Sequence, residues 1–362
     1  MNILLLANHF NAGGISRYIV ILARGLIARG HTVYVASRGG QWLTRLEHDD
    51  IEHIYVPLRT KSIVSPKLLF SYFILKKVIK EKGIQLLHSQ TRLTNVLAYW
   101  LSKKTDVPFV STAHGFYTAR WERLIFPCWG KRVIAISDAV KEHLIHDFKV
   151  GREKIRLVHN GIEVTSYQSP VTRSKKEIKK EFGLKEGPVV GIIARLSEVK
   201  GHRYLITAMR KVIEHVPDAE LLSIGDGKIK KELEDLGKSL ALEAKLHFIP
   251  SVSDTTEALS VMDVFVMPSL QEGLGLAIME AMAAGVPVAG SAVGGIASLI
   301  KDGQTGILVK PANSEALADA IRELLSNKQK AQAMAACAKA LIEKEFSSKK
   351  MCEDTEKVYQ EC

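Results

Sequence analysis

Hydrophobic positions in the first 160 residues gather in short, nearly continuous runs, separated by longer stretches of helical period. The runs are "NILLLAN", "HTVYVAS", "IEHIYVP", "IQLLHSQ", "PFVSTAH", "RVIAIS" and "IRLVHN". Strands that are apolar throughout, rather than at alternate positions, are buried on both faces. That predicts a parallel sheet covered by helices. Between the first two runs, Ile15 to Arg29 carries the period of an amphipathic helix, closed by Gly30.

The pattern lapses over residues 161–187, where Ser, Thr, Pro and clustered Lys replace apolar residues until Ile178. A domain boundary is expected between Gly161 and Ser174, with Asn160 and Gly161 at the hinge. The alternation then restarts, with strands in "PVVGIIARL", "AELLSIGD", "KLHFIP", "DVFVMPS", "PVAGSA" and "GILVKP". The longest helix of this half is expected from about Lys200 to Val216.

The fold class is α/β: two doubly wound Rossmann-like domains facing each other across a cleft. The expected divisions are 1–165, 166–340 and a closing helix in 341–362 that packs back on the first domain. Open parallel sheets bind ligands beyond the carboxyl ends of their strands, so those ends are where chemistry is sought.

Length agrees, since 362 residues exceed what one core organises. No run approaches the roughly 18 apolar residues that cross a bilayer. The opening "MNILLLANHF" has no basic leader region and reads as a buried strand. A cytoplasmic protein is therefore expected, with peripheral attachment to the inner face of a membrane as an addition. Cys128, Cys337, Cys352 and Cys362 form no C-x-x-C pair and fit a reducing compartment. The net charge of +11 favours an anionic partner. Nucleic acid is set aside, because no zinc-finger spacing, aromatic RNP string or dense basic tail accompanies that charge.

Candidate chemistry falls at strand ends. Gly13 and Gly14 lead from the first strand into a helix whose free amides suit an anion, although a tight turn explains them equally. Arg195 and Lys200, five residues apart in "ARLSEVKGH", put two cations beside a helix start, a fit for a pyrophosphate. In "QEGLGLAIMEAMAAG", Glu272 precedes Gly273 and Gly275, and Glu280 follows eight residues later amid Leu, Ile, Met and Ala. The helix is expected to start near Gly273. Eight helical residues rise about 12 Å, the reach from a ribose across a diphosphate to an attached sugar. A partly buried acid such as Glu280 needs partners, and two ribose hydroxyls would serve. His114 ends another strand of the first half, where a hydrogen-bonding role competes with a structural one.

Taken together, these stretches resemble the glycosyltransferases of family 4, retaining enzymes of GT-B fold also described as glycosyl transferases group 1. "ARLSEVKG", "IGDG", "DVFVMPSLQEGLGLAIMEAMAAGVPV", "GG" and "DGQTGILV" occur in the family's order between Arg195 and Pro311. The resemblance implies a hexosyltransferase-type enzyme moving a sugar from a nucleotide-diphosphate donor, UDP-sugar favoured, with retention and without a metal. It implies no cofactor beyond the donor, which is a substrate. The acceptor would be a hydroxyl of a glycan or lipid-linked glycan in cell-surface polysaccharide or lipopolysaccharide synthesis. By likeness, Arg195 and Lys200 hold the diphosphate. Glu272 and the amides of Gly273, Leu274, Gly275 and Leu276 hold the donor sugar, and Glu280 the ribose. The base rests near Val252. Gly13, Gly14 and His114 act on phosphate and sugar from the first domain, His114 counting with Glu272, Arg195 and Lys200 as catalytic. Three residues depart from the family pattern: Pro250, Ser298 and Ala194.

A basic amphipathic stretch, residues 59–83, mixes Leu, Phe, Ile and Tyr with Lys61, Lys67, Lys76, Lys77, Lys80 and Lys82. It reads either as a helix resting on acidic lipid or as a sheet cover with a lysine face. Rival readings of the whole chain are a nucleotide-sugar epimerase on the same scaffold and a non-catalytic partner subunit.

Overall fold

Each of the thirteen apolar runs contains a strand. In the first half these are β1 (Asn2–Leu6), β2 (Thr32–Ser37), β3 (Glu52–Tyr55), β4 (Leu86–Ser89), β5 (Phe109–Ala113), β6 (Arg132–Ala135) and β7 (Ile155–Leu157). The second half holds β8 (Val189–Ile193), β9 (Glu220–Ile224), β10 (Leu246–Ile249), β11 (Val264–Met267), β12 (Val288–Ser291) and β13 (Ile307–Val309). The computed structural model describes the chain except Ala12, residues 59–64, residues 119–120, Ser253 and the side chain of Glu122. Lys61 of the basic stretch therefore lies outside the described residues.

All named strand pairs are parallel, in the orders β3-β2-β1-β4-β5-β6-β7 and β10-β9-β8-β11-β12-β13. Each sheet reverses its winding beside its first strand: β1 lies between β2 and β4, and β8 between β9 and β11. Such switch points leave a crevice at the strand exits. Burial on both faces accounts for the unbroken apolar runs; Ile3, Leu4, Leu5 and Leu6 are all fully buried.

The chain forms two units, Met1–Gly161 with Ser347–Cys362, and Ile162–Phe346. Gly161 sits at the division, where a Cβ would fall 2.4 Å from the Ser347 carbonyl oxygen. The last helix, Ser348–Gln360, completes the first unit by packing on the helix Gly14–Ile27, with Cys352, Val358 and Tyr359 in the same core as Tyr18 and Leu22. At its outer edge Arg29 and His31 bond Glu356. Tyr359 Oη lies 2.6 Å from His88 Nδ1, and the His88 Nε2 lies 2.7 Å from Thr112 Oγ1.

Three helix limits differ from expectation. The helix Gly14–Ile27 is slightly shifted. The longest helix of the second half is Lys328–Glu345, not His202–His215, because Ala-rich sequence continues beyond the sheet. The helix expected from Gly273 begins only at Leu276, as Gly275 takes a left-handed conformation at its start (φ 95°). Among the described residues no helix is long and apolar enough to cross a membrane.

Candidate active site

In the second unit, the exits of β8 and β11 lie side by side because the strands pair. After β8 the chain makes a short 3-10 turn, Glu198–Lys200, and Gly201 ends it in a left-handed conformation (φ 71°). A Cβ on Gly201 would lie 2.0 Å from the Pro268 carbonyl oxygen, so only glycine lets this turn press on the β11 exit. The Leu270 amide donates to the Val199 carbonyl at 2.8 Å and ties the two loops together. Their side chains then meet: Lys200 Nζ forms an ion pair with Glu272 Oε2, both groups largely buried.

Glu272 is held from several sides. The Ser269 hydroxyl reaches the same carboxylate oxygen at 3.4 Å, and the Gly295 amide donates to the Glu272 carbonyl at 3.0 Å. Gly295 has no room for a side chain, since a Cβ would fall 2.4 Å from the Gly273 carbonyl oxygen. Arg195, by contrast, is exposed at the β8 exit and has no hydrogen-bond or ion-pair partner among the described residues. The "IGDG" stretch packs beneath it: a Cβ on Gly225 would strike the Ala194 carbonyl oxygen at 2.1 Å, and one on Gly227 that of Leu196 at 1.9 Å. These glycines let the β9 exit support the Arg195 loop from below.

Glu280 is 1% exposed, within the buried run Ile278 to Ala283. Contrary to expectation, it does not stand near the end of a helix that starts at Gly273. With the helix beginning at Leu276, it sits in the helix middle, and the expected 12 Å helical span between the two acids does not apply, because the intervening glycine loop is not helical. A buried carboxylate requires hydrogen bonds, and Thr255, from the loop after β10, donates its hydroxyl to Glu280 Oε2 at 2.8 Å. Val252 is exposed in that loop, which the Ser251 amide pins to Asp226 Oδ2 at 3.0 Å. Those bonds from Ser251 lower the Asp226 pKa. His202, at the start of the His202–His215 helix, is buried without a partner on either ring nitrogen among the described residues. Burial, reinforced by the Lys200 charge, lowers its pKa to about 4.

In the first unit, Gly13 precedes the helix Gly14–Ile27, and the space where its Cβ would stand is open, leaving the amides at this helix start approachable. Tyr18, one turn into that helix, sets its ring edgewise against His114, with centroids 4.8 Å apart. His114 Nε2 lies 2.7 Å from Gln90 Oε1, at the exit of β4. Burial lowers the His114 pKa to about 3, which keeps the ring neutral near pH 7. Gly14 and His114 thus belong to one strand-exit cluster within this unit.

Arg195, Lys200, Glu272, Gly273, Leu274, Gly275, Leu276 and Glu280 likewise gather at the strand exits of the second unit. Sequence reading missed Ser269, Thr255, Gly295, Asp226 and Gln90. Small hydroxyls and single amides carry no periodic signal; adjacency of strand exits was the only route to them.

Two family profiles match the chain. The one described as Glycosyltransferase Family 4 matches residues 12–166, and the one described as Glycosyl transferases group 1 matches residues 174–341. An uncharacterized glycosyltransferase of Methanocaldococcus jannaschii is 28% identical, over 96% of this chain and 94% of that protein. The UDP-Gal:alpha-D-GlcNAc-diphosphoundecaprenol alpha-1,3-galactosyltransferase of Escherichia coli is 26% identical over 79% and 78%. The Anabaena protein HepE, solved in complex with UDP and glucose, superposes with a TM-score of 0.89, at 23% identity, over 100% of both chains.

Proposed function

We propose a donor, an acceptor class and a reaction course for this chain, which belongs to the glycosyltransferases of family 4 and is a nucleotide-sugar glycosyltransferase of GT-B fold. The proposed donor is a UDP-sugar. UDP in the HepE complex and UDP-Gal in the name of the E. coli relative support that choice.

Arg195 and Lys200 would receive the diphosphate, Arg195 being exposed without a partner among the described residues and Lys200 exchanging part of its pairing with Glu272 for phosphate oxygens. Glu272, once shared between cation and sugar, would accept from sugar hydroxyls beside the amides of Gly273 to Leu276. Glu280 would accept from the ribose, and the base would lie near Val252. In the first unit, Gly13, Gly14 and His114 are proposed to contact phosphate and sugar atoms, His114 as a neutral hydrogen-bonding group.

The acceptor hydroxyl attacks the anomeric carbon from the face the diphosphate leaves. The glycosidic C–O bond forms as the C–O bond to the β-phosphate breaks, and the hydroxyl proton passes to the departing phosphate oxygen. Configuration is retained, and the fixed cations lower the barrier by stabilising charge that develops on the leaving group. The acceptor is taken to be a glycan or lipid-linked glycan of cell-surface polysaccharide or lipopolysaccharide synthesis.

The observation that carries this reading is the Lys200–Glu272 pair beside exposed Arg195, with buried Glu280 on the helix that follows. A thermal-shift screen of UDP-, GDP- and ADP-sugars tests it. A bound donor raises the melting temperature according to RT ln(1 + [L]/Kd), so the UDP series should stabilise most. No shift with any UDP-sugar at millimolar concentration overturns the donor assignment.

A further inference from the structure

The helix Pro66–Glu81 covers the first sheet with Leu68, Leu75 and Ile79, which are buried. Its outward side is not merely polar. Leu69 is 54% exposed, Phe70 60% and Phe73 59%. At 100° per residue these three share one stripe, roughly 120° wide, with the exposed Lys76, Lys77 and Lys80. The stripe is apolar in its first half and basic in its second; the whole helix carries four lysines and one glutamate, Glu81, which pairs with Lys77.

A second exposed apolar group lies on the short helix Trp121–Ile125: Trp121 at 69%, Leu124 at 47% and Ile125 at 76%. The helix Arg92–Thr105 lies next to the first of these in the fold, and the chain that follows the second is bonded to it. The first packs on it directly. The segment after the second is fastened to it by Arg92, whose guanidinium donates to the Phe126 and Pro127 carbonyls, and by the Tyr99–Phe126 ring contact at 5.1 Å. Among the described residues, three large exposed hydrophobic side chains thus share one stripe of the helix Pro66–Glu81, and three more lie on Trp121–Ile125, just before the segment tied to Arg92–Thr105. Scattered single hydrophobic residues need no explanation, but a concentration of this kind marks an interaction surface.

We propose that this face of the first unit docks on an anionic phospholipid bilayer, with Leu69, Phe70 and Phe73 entering the interface and Lys76, Lys77 and Lys80 contacting headgroups. Charge complementarity identifies the partner: a chain of net charge +11 sets its lysines against the same stripe as its exposed aromatic rings. Aliphatic Leu69, Leu124 and Ile125 gain from hydrocarbon and have no use against nucleic acid, which would be stacked on rings alone. Docking stands on this surface by itself and does not depend on the donor reading.

The test is co-sedimentation of the full chain with vesicles of phosphatidylcholine alone or mixed with phosphatidylglycerol, at low and raised salt. Preferential, salt-weakened binding to the mixed vesicles is expected. Since one lysine near such a surface contributes roughly a factor of five, K76Q/K77Q/K80Q should reduce partitioning roughly 100-fold and flatten the salt dependence. F70S/F73S should reduce it at least about tenfold and keep the salt dependence. Trp121→Ser provides an independent variant should either set melt early, and UDP-sugar thermal shifts report separately on the donor site. Equal binding to neutral vesicles, wild-type partitioning in folded variants, or a stronger affinity for duplex nucleic acid than for mixed vesicles overturns the proposal.

Discussion

Thr255 Oγ1 donates to Glu280 Oε2 at 2.8 Å, joining the loop after β10 to a carboxylate that is 1% exposed in an apolar helix. A buried acid held by a hydroxyl from another element is fixed in place, as the proposed ribose contact requires. Loss of the hydroxyl removes one of its hydrogen bonds. Thr255→Val should lower unfolding free energy by about 1–3 kcal/mol and weaken donor binding, as read by urea denaturation and by titration with UDP. Unchanged stability would show that Glu280 is satisfied without Thr255.

Lys200 and Glu272 face each other from neighbouring strand exits, 72 residues apart in sequence. Lys200→Ala and Glu272→Ala should each lower kcat by roughly 100-fold or more, the range of a lost electrostatic donor in a preorganised site. Their melting temperatures should shift little, because both groups can still reach solvent. Wild-type turnover in either variant refutes the assignment.

His88 and His114, both held to a pKa of about 3 by burial, give stability a defined pH dependence. In the unfolded chain each histidine takes up a proton near its ordinary value of 6.5, which the folded protein refuses until about pH 3. Stability is complete above the higher value and falls as pH drops between the two, by about 1.4 kcal/mol per pH unit for a fully buried ring such as His88. Denaturant midpoints should therefore decline from about pH 7 to about pH 5, and less so in His88→Gln. A flat profile in the wild-type protein contradicts this account.

The last helix carries Tyr359 into the core of a unit whose other residues end at Gly161. Tyr359→Phe deletes the hydroxyl beside His88 and should cost about 1–2 kcal/mol. Removal of residues 347–362 uncovers Tyr18 and Leu22 and should unfold the first unit, seen as loss of its cooperative transition by calorimetry.

Much of this architecture was legible in the sequence, and the reason is physical. Strands such as Asn2–Leu6 are buried on both faces, so their apolar runs are unbroken and easy to find. Lys200, Glu272 and Glu280 stood out because charges beside glycines or within apolar helices are otherwise unfavourable. The path between the acids is not legible: Gly275 looks like a helix residue in sequence, and only its left-handed φ moves the helix start to Leu276. Thr255, Ser269 and Gln90 left no trace, being ordinary polar residues whose partners are set by which strands pair. A closing helix packing back on the first domain is expected from the sequence, but its contact with His88, 271 positions away, carries no signal there.

Glu280 is proposed to read the ribose of a uridine diphosphate whose phosphates lie at Arg195 and Lys200. Calorimetric titration of UDP against its 2′,3′-dideoxy analogue, in wild-type protein and Glu280→Ala, tests it most directly. The wild-type protein should prefer UDP by roughly tenfold or more, the worth of about 1.4 kcal/mol in hydrogen bonds to the carboxyl group, and Glu280→Ala should bind both equally. An undiminished preference for UDP in folded Glu280→Ala would contradict the account.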